Sequence, residues 1–200
     1  MKLILVDINA PMCDAWREYF NDLPDVEIVH NSFETLAEFD CIVSPANSFG
    51  LMDGGLDLII SNFFGAHLMQ AVQKRVISDY FGEQPVGTSM IVETGDDKHP
   101  FLAHTPTMRV PMDISRTDNP YLAMWAMLRA VHQHNAMQER KIGSVACAGL
   151  GTGYGEVPFA QAGRQMALAY KNYLNPPENI SWGYAKVRHY AVRDTFTKKR

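Results

Sequence analysis

Short apolar segments alternate with longer segments of helical periodicity along most of the chain. This alternation is typical of α/β proteins, in which helices cover both faces of a largely parallel sheet. The predicted strands are 2–6, 26–29, 41–46, 86–93, 101–104, 142–146 and 185–192. The predicted helices are 14–23, one or two within 55–80, one from Pro120 to about Glu139 capped by Asn119, and 158–173. The sequence therefore predicts a three-layer α/β/α fold with a mixed, largely parallel central sheet, formed by residues 1–200 as a single domain.

The composition argues against several classes of protein. Apolar residues make up 46% of the chain and charged residues 20%, which is ordinary for a globular protein. The net charge of −4 and the pI of about 5.9 provide no overall positive field for nucleic acid or anionic lipid. The basic run Lys198-Lys199-Arg200 is short and is expected to be solvated. No apolar run approaches the ~20 residues of a membrane span. We therefore expect neither nucleic acid nor a membrane as a partner.

The cysteines indicate the redox environment. The three cysteines are an odd number and include no C-x-x-C pair. Cys41 and Cys147 fall within or beside predicted strands, which is typical of buried free thiols in a reducing compartment. We therefore expect a cytoplasmic protein without a disulfide framework or a zinc site.

Two loops have an unusual composition. The first reads SPANSFGLMDGGLD from Ser44, and the second reads AGLGTGYGEVP from Ala148. Each follows an apolar strand, passes through glycines and leads into a predicted helix. Glycine permits positive φ and lets backbone N–H groups approach a ligand, and a helix N-terminus adds about half a positive charge. Because ligands of such sheets sit beyond the carboxyl ends of the strands, the pair of loops predicts a diphosphate cradle that needs no lysine or arginine.

These motifs resemble those of macro domains. VSPANSFGLMDGGLD resembles their first ligand loop, whose pattern is close to V-N-A-A-N, a short spacer and G-G-G-V-D. GLGTGYGEVP resembles their second, phosphate-embracing loop, and HTPTM, from His104, resembles their H-x-x-G-P strand end. The likeness spans roughly residues 26–173, and Asn47 and Asp57 are ten positions apart, as in the hydrolytic branch of the family.

The resemblance implies a function for both loops. Macro domains bind ADP-ribose in a crevice above a mixed sheet. Some only bind, whereas others remove ADP-ribose from proteins, deacetylate O-acetyl-ADP-ribose or dephosphorylate ADP-ribose 1″-phosphate. By this resemblance Asn47 would bind the distal ribose and Asp57 would activate a water, which makes these two the candidate catalytic residues. The implied ligand-binding residues are Asp7, Ile8, Ala46, Gly54, Gly55, Gly149, Leu150, Gly151, Thr152, Gly153 and Tyr154. No metal or other cofactor is implied.

The residue types suit the implied roles, but for Asn47 and Asp57 they also allow simpler structural roles. Asparagine has a donor and an acceptor, which suit vicinal ribose hydroxyls, but it also forms Asx-turns. Asp57, at a predicted helix start, is expected to stay ionised and polarise water, although an acid there also simply satisfies the helix dipole. Main-chain N–H groups of residues 149–153 would wrap the diphosphate, and Tyr154 would cover the distal ribose.

The sequence departs from the family pattern at two places. Asp53 stands where the family has its first glycine, and it adds negative charge beside an anion site unless its side chain points away. The family's G-D-I-T aspartate, which holds adenine, has no counterpart in His30-Asn-Ser-Phe33. Asp7 could supply that carboxylate from a neighbouring strand end, or it could cap the helix predicted at Asp14. Phe33 could stack on the base.

Other sites are weaker candidates. GLGTGYG could form a Rossmann dinucleotide site, but it comes late in the chain and lacks an acid about twenty residues on. Cys147 lacks the arginine that a C-x5-R phosphatase loop requires. Arg109 could close over a phosphate or be solvated. His104 could be a core histidine or a base.

Taken with the resemblance, the two loops lead us to expect a metal-independent hydrolase acting on ADP-ribosylated protein or an ADP-ribose derivative. The alternatives are a non-catalytic reader of ADP-ribose and a partner-binding protein that has lost the ligand.

Overall fold

The computed structural model describes residues 1–193, and its six strands form one sheet. In chain order these are β1 (Lys2–Asp7), β2 (Val26–His30), β3 (Cys41–Ser44), β4 (Met90–Glu93), β5 (Phe101–His104) and β6 (Ser144–Cys147). Their order in the sheet is β2-β1-β6-β3-β5-β4. All neighbours pair in parallel except β4, which is antiparallel to β5. The sheet is therefore mixed and largely parallel, as predicted. The basic run Lys198-Lys199-Arg200 lies outside the described residues.

Helices cover both faces of the sheet. They are α1 (Ala10–Tyr19), α2 (Gly55–Phe64), α3 (His67–Tyr80), α4 (Asn119–Met137), α5 (Phe159–Leu174) and α6 (Trp182–Arg193). Leu3 and Leu5 pack in a core cluster with Trp16 of α1, whereas Ile4 packs in a second cluster with Ile60 of α2. Because successive strand residues point to opposite faces, these two clusters are the two sides of one sheet. The three-layer α/β/α prediction is confirmed. None of the helices in residues 1–193 has the length and apolarity that crossing a membrane requires.

Asp40 fixes the start of β3 against the start of β6. Its Oδ2 atom accepts hydrogen bonds from Gly143 N (2.8 Å), Ser144 N (2.7 Å) and Ser144 Oγ (3.0 Å). Asp40 N donates in turn to Ser144 Oγ at 3.0 Å. Because β3 and β6 are parallel neighbours, this clamp at their amino ends sets where their carboxyl ends lie, and those ends carry the two glycine loops.

We expect the substitution Asp40→Ala to lower the free energy of unfolding by about 2–4 kcal/mol. Three donors would lose one charged acceptor, and a hydrogen bond to a charged group contributes ~1.5–3 kcal/mol net. Asp40 is only half-buried, so water can replace some of these bonds in the variant. Urea denaturation measures the change. Asp22→Ala removes an exposed carboxylate and serves as the matched control. A loss below about 1 kcal/mol for Asp40→Ala would contradict the clamp.

The strand predicted at 185–192 is wrong, because this segment lies within α6. Ser181 precedes the helix and caps its start, since its Oγ accepts a hydrogen bond from Tyr184 N (3.2 Å) and its carbonyl accepts one from Ala185 N (2.9 Å). Arg188, one turn after Tyr184, donates to the Tyr184 hydroxyl at 2.7 Å and lies 4.4 Å from the ring centroid of Trp125. The contact between Tyr184 and Arg188 requires helical spacing, and the contact with Trp125 holds the helix against α4. Together they favour a helix over the strand that a weak alternation of apolar residues had indicated.

Several predicted boundaries also shift. α1 begins at Ala10, because Pro11 suits a first helical turn. Asn119 is the first residue of α4 and not its cap, and its Nδ2 donates to Thr107 O at 2.7 Å. β4 begins at Met90 because the preceding residues form turns. These shifts leave the order of the predicted elements before α6 unchanged.

Candidate functional site

A cavity of about 300 Å³ lies at the carboxyl ends of β1, β3 and β6. These three strands are adjacent in the sheet, so the segments that follow them meet at one edge. All the residues predicted for the site line this cavity except Leu150, whose side chain is fully buried in the core. Only the main chain of Leu150 remains available for the role expected of it. The two glycine loops therefore converge on one crevice.

Asn47 organises the first loop with its own side chain. Its Oδ1 atom accepts hydrogen bonds from Phe49 N (3.0 Å) and Leu51 N (3.3 Å), and its Nδ2 atom donates to Leu51 O (2.7 Å). This is the Asx-turn role that the sequence left open. A primary amide has a second N–H, so one donor of Asn47 remains outside this turn.

The glycine pair of the first loop places the start of α2 at the cavity. Gly54 is the N-cap of α2, and Gly55, the first helical residue, has a φ of +56°. Glycine adopts this left-handed conformation at little cost, whereas most residues do not. The first N–H groups of a helix lack partners within it and carry a partial positive charge. The start of α2 therefore offers main-chain donors to an anionic group in the cavity.

Asp57 is a buried carboxyl group in the cavity wall. The residue is 6% exposed, and Ser44 Oγ donates a hydrogen bond to its Oδ1 at 2.6 Å. Burial raises the pKa of Asp57 to about 7; the Ser44 hydrogen bond opposes this shift and the charge of Asp53 adds to it. The expectation that Asp57 stays ionised is therefore wrong, because lost solvation outweighs the helix dipole. Near neutral pH the group is divided between two protonation states.

The second loop is folded tightly on itself. Val157 N donates to Gly151 O (3.1 Å), and Glu156 N donates to Gly153 O (3.0 Å). Gly151 and Glu156 have positive φ angles of 74° and 54°. A Cβ atom on Gly155 would overlap the carbonyl oxygen of Gly151. Gly151 and Gly155 are therefore required by the loop itself, and the glycines together leave its main chain uncovered beside the cavity.

Asp7 ties the end of β1 to the second loop. Its Oδ2 atom accepts a hydrogen bond from Gly149 N at 3.1 Å. Its Oδ1 atom accepts from Asn9 N (2.9 Å) and Asn9 Nδ2 (2.8 Å). Asn9 is the N-cap residue of α1, which begins at Ala10 and not at Asp14. Asp7 therefore does not cap a helix at Asp14; it holds the cap residue of a helix that begins earlier. Asp7 thus joins two walls of the cavity.

Tyr154 spans the mouth of the cavity between the two loops. Its side chain is carried by the second loop, and the residue is 63% exposed. A Cβ atom added to Gly54 would lie 3.7 Å from the Tyr154 ring, and one added to Gly55 would lie 3.5 Å from it. A Cβ atom at either glycine would therefore lie in ordinary van der Waals range of the aromatic ring, so the ring rests directly over the glycine pair.

The part of the cavity beside β1 and β2 is lined by apolar side chains as well as polar ones. Ile8, Phe33 and Ile59 contribute to its lining. Phe33 is buried and contacts Phe63 edge-to-face, with 5.5 Å between ring centroids. Ile8 is 70% exposed at the rim. Aromatic and aliphatic walls of this kind suit a flat, weakly polar ring.

A third segment, from the loop after β5, completes the cavity and was missed by the sequence analysis. It contributes Thr107, Met108 and Pro111. Thr107 N donates to Ala46 O (2.9 Å), and Asn47 and Met108 form an isolated parallel bridge. This segment therefore extends the pairing of β3 with β5 past the strand ends. The only signal in the sequence was that HTPTM continues directly from the strand.

Three weaker candidates lie outside the cavity. His104 is buried, its Nδ1 lies 2.6 Å from Gln84 Oε1, and burial lowers its pKa to about 3, so the ring is neutral. Burial raises the pKa of the Cys147 thiol, which therefore remains protonated. Arg109 is exposed and held by Glu83, with both of their contacts at 2.8 Å. The structure thus supports the core role for His104 and an ion pair for Arg109.

The charged side chains of the cavity wall are all carboxylates. Asp7, Asp53 and Asp57 line it, and no Lys, Arg or His of the described chain does. Within residues 1–193 no group of three or more His, Cys, Asp or Glu side chains is placed to hold a metal ion. An anion in this cavity would therefore depend on main-chain N–H groups for its binding.

The fold and the site define a class of α/β proteins in which two glycine loops meet at a cavity on the carboxyl edge of a mixed sheet. The family model named Macro domain matches residues 43–166, a range that includes both glycine loops. The chain belongs to the Macro domain family.

Similar proteins include a relative in sequence and solved macrodomains that share the fold. An uncharacterized protein of Aquifex aeolicus (strain VF5) is 34% identical over 150 residues, which cover 74% of this chain and 82% of that protein. The macrodomain of Mycobacterium tuberculosis DarG has a TM-score of 0.59 at 20% identity, covering 71% of this chain and 88% of its own. A mutant of the Oceanobacillus iheyensis macrodomain with ADPR has a TM-score of 0.57 at 20% identity, covering 84% of this chain and 91% of its own.

Proposed function

We propose that the cavity binds ADP-ribose, and that the protein hydrolyses ADP-ribose from a modified protein or processes an ADP-ribose derivative. The observation that carries the proposal is the convergence of two glycine loops and one buried carboxyl group on a single cavity. The structurally similar Oceanobacillus iheyensis macrodomain, solved with ADPR, supports the choice of ligand. We also propose that residues 1–200 form one macro-type domain, because strands from Lys2 to Cys147 share one sheet.

The diphosphate would lie between the start of α2 and the second loop. Gly54 and Gly55 leave the first N–H groups of α2 open to the cavity, and Gly149, Gly151 and Gly153 do the same for the second loop. Main-chain N–H groups in such nests bind phosphate without a cationic side chain. This arrangement suits a cavity whose charged side chains are all acidic.

The two ends of the cavity suit the two ends of ADP-ribose. Asp7, Ile8 and Phe33 would surround the adenine. Each oxygen of a carboxylate has two lone pairs, so the Oδ2 atom of Asp7, which accepts one hydrogen bond from Gly149, can accept another. At the opposite end Tyr154 would cover the distal ribose.

Asp57 would act on water beside the distal ribose. Its pKa of about 7 leaves a substantial fraction ionised at neutral pH, so it can accept a proton from a water that attacks the anomeric carbon. The bond from that carbon to the oxygen of the modified group would break in the same reaction, and that oxygen would leave with the bonding electrons. Ser44 holds Oδ1 at 2.6 Å, so the second carboxyl oxygen remains to contact that water. Positioning and proton transfer would supply the catalysis.

A second candidate function, a reader that binds ADP-ribose without hydrolysing it, is favoured by one observation. The Asn47 amide is largely used within the first loop, by hydrogen bonds to Phe49 and Leu51. Only one of its N–H groups would then contact the distal ribose. Weaker control of the ribose would permit binding while lowering the rate of chemistry.

Two measurements on the wild-type protein separate these functions. Calorimetry with ADP-ribose tests binding, and the absence of heat at millimolar ligand would reject the hydrolase and the reader alike. Release of ADP-ribose from a modified protein, followed over hours at pH 8, tests hydrolysis. Binding with release supports the proposal, whereas binding without release supports the reader.

A further inference from the structure

We infer that Asp53 makes the cavity selective for ADP-ribose groups whose anomeric substituent is uncharged, and that it disfavours ADP-ribose ending in a phosphate. The inference rests on the proposed function, because it assigns a substrate class to the same cavity. Asp53 would be a specificity-determining residue and not a catalytic one.

Asp53 lies at the end of the cavity that would hold the distal ribose. It lines the cavity and directly precedes Gly54, the N-cap of α2, against which the Tyr154 ring rests. Its side chain is exposed, and no described residue forms a hydrogen bond or ion pair with it. The carboxylate is therefore uncompensated, and its charge acts on whatever occupies this end.

The charge of Asp53 also acts on a neighbouring carboxyl group of the cavity wall. Asp53 contributes to the raised pKa of Asp57, after burial, which is the largest cause. A phosphate on the distal ribose would add about two further negative charges in the same place. The diphosphate of ADP-ribose would lie between the start of α2 and the second loop, where main-chain N–H groups from both sides offset its charge.

No cation of the described chain offsets Asp53 at this end. The cavity lining contains no Lys, Arg or His within residues 1–193. Arg109 belongs to the segment that contributes Met108 and Pro111, but both of its contacts go to Glu83. An anomeric phosphate would therefore meet two carboxyl groups, Asp53 and Asp57, without a cationic side chain to offset them. Repulsion between the −1 charge of Asp53 and the −2 charge of a phosphate at the same end of a mostly solvated cavity corresponds to about tenfold in affinity.

Paired affinities for ADP-ribose and ADP-ribose 1″-phosphate, measured by calorimetry, test the inference. The wild-type protein is expected to bind ADP-ribose about tenfold more tightly or better, and added salt should reduce this ratio. Asp53→Asn keeps the size of the side chain and should bring the two affinities within about threefold of each other. Asp53→Gly, which restores the glycine triplet of the family pattern, should do the same.

Asp97→Asn is the matched control, because it also removes one exposed negative charge but lines a separate surface crevice. It should leave the ratio unchanged. Equal affinities in the wild type, or a ratio that Asp53→Asn does not alter, would overturn the inference while the proposed function stands. Binding of neither ligand would overturn the proposed function itself.

Discussion

The substitution Asp57→Asn is expected to reduce ADP-ribose release by at least ~100-fold, since general acid–base groups contribute about 10²–10⁴ in rate. Asparagine keeps the shape of the side chain and can still accept the Ser44 hydrogen bond, so the cavity should keep its form. The wild-type rate should rise with pH and level off above about 7, because only the ionised form of Asp57 accepts a proton. The initial rate of release, measured from pH 5.5 to pH 8.5, reports both effects.

The same substitution is expected to stabilise the fold at alkaline pH. The pKa of Asp57 is about 7 in the folded protein and about 3.9 in an unfolded chain. The folded state therefore binds more protons between these values, and stability falls as the pH rises from about 4 to 7. Asparagine carries no charge to bury, so Asp57→Asn should exceed the wild type by about 1–3 kcal/mol at pH 8. The difference should shrink toward pH 4.

Urea denaturation at pH 4.5 and pH 8 measures this difference, with Asp97→Asn as an exposed control. If Asp57→Asn were less stable than the wild type at pH 8, the ionised Asp57 side chain would not be destabilising the folded protein as we expect. Release of ADP-ribose at a near wild-type rate would show that another group activates the water.

The second large effect is expected from Gly155→Ala. A Cβ atom there would overlap Gly151 O and lie 2.7 Å from Ile114 Cγ1, so the second loop would have to open. Overpacking of this kind costs about 1–3 kcal/mol. Because the loop would no longer present its N–H groups together, we expect at least ~30-fold weaker ADP-ribose binding, which corresponds to about 2 kcal/mol.

Gly153→Ala is the control within the same loop, since a Cβ atom at Gly153 has no neighbour within 4 Å. It should leave the free energy of unfolding unchanged within about 0.5 kcal/mol. Calorimetry and urea denaturation of both variants provide the test. Unaltered ADP-ribose affinity in Gly155→Ala would mean that the second loop does not hold the diphosphate.

The local sequence pattern predicted the three layers of the fold and the position of the two glycine loops. A strand followed by glycines can be recognised within a single short stretch of sequence. The pattern could not predict that residues 107–111 complete the cavity, since this depends on β5 lying beside β3. It also failed at 185–192, where contacts of Arg188 with Trp125 and Tyr184 decide the conformation. Trp125 lies far from Arg188 in sequence, so local pattern could not reveal that contact.

The protonation of Asp57 and the hydrogen-bond partners of Asn47 could not be predicted from the sequence either. An acid in the first turn of a helix indicates an ionised group, but the burial of Asp57 reverses that expectation. Asparagine in a ligand motif indicates a ligand contact, but the turn formed by Asn47 with Leu51 uses most of its amide. Solvent exposure and hydrogen-bond partners are properties of the folded chain, and residue type alone does not determine them.

The clamp between Asp40 and Ser144 joins residues 104 positions apart. During synthesis the first loop therefore leaves the ribosome well before the strand that must lie beside it exists. Contacts this distant in sequence form slowly, because the chain loses entropy before they stabilise it. A nascent or truncated chain that lacks β6 would have only half of the crevice, so capture of a nucleotide-like ligand would report that folding is complete.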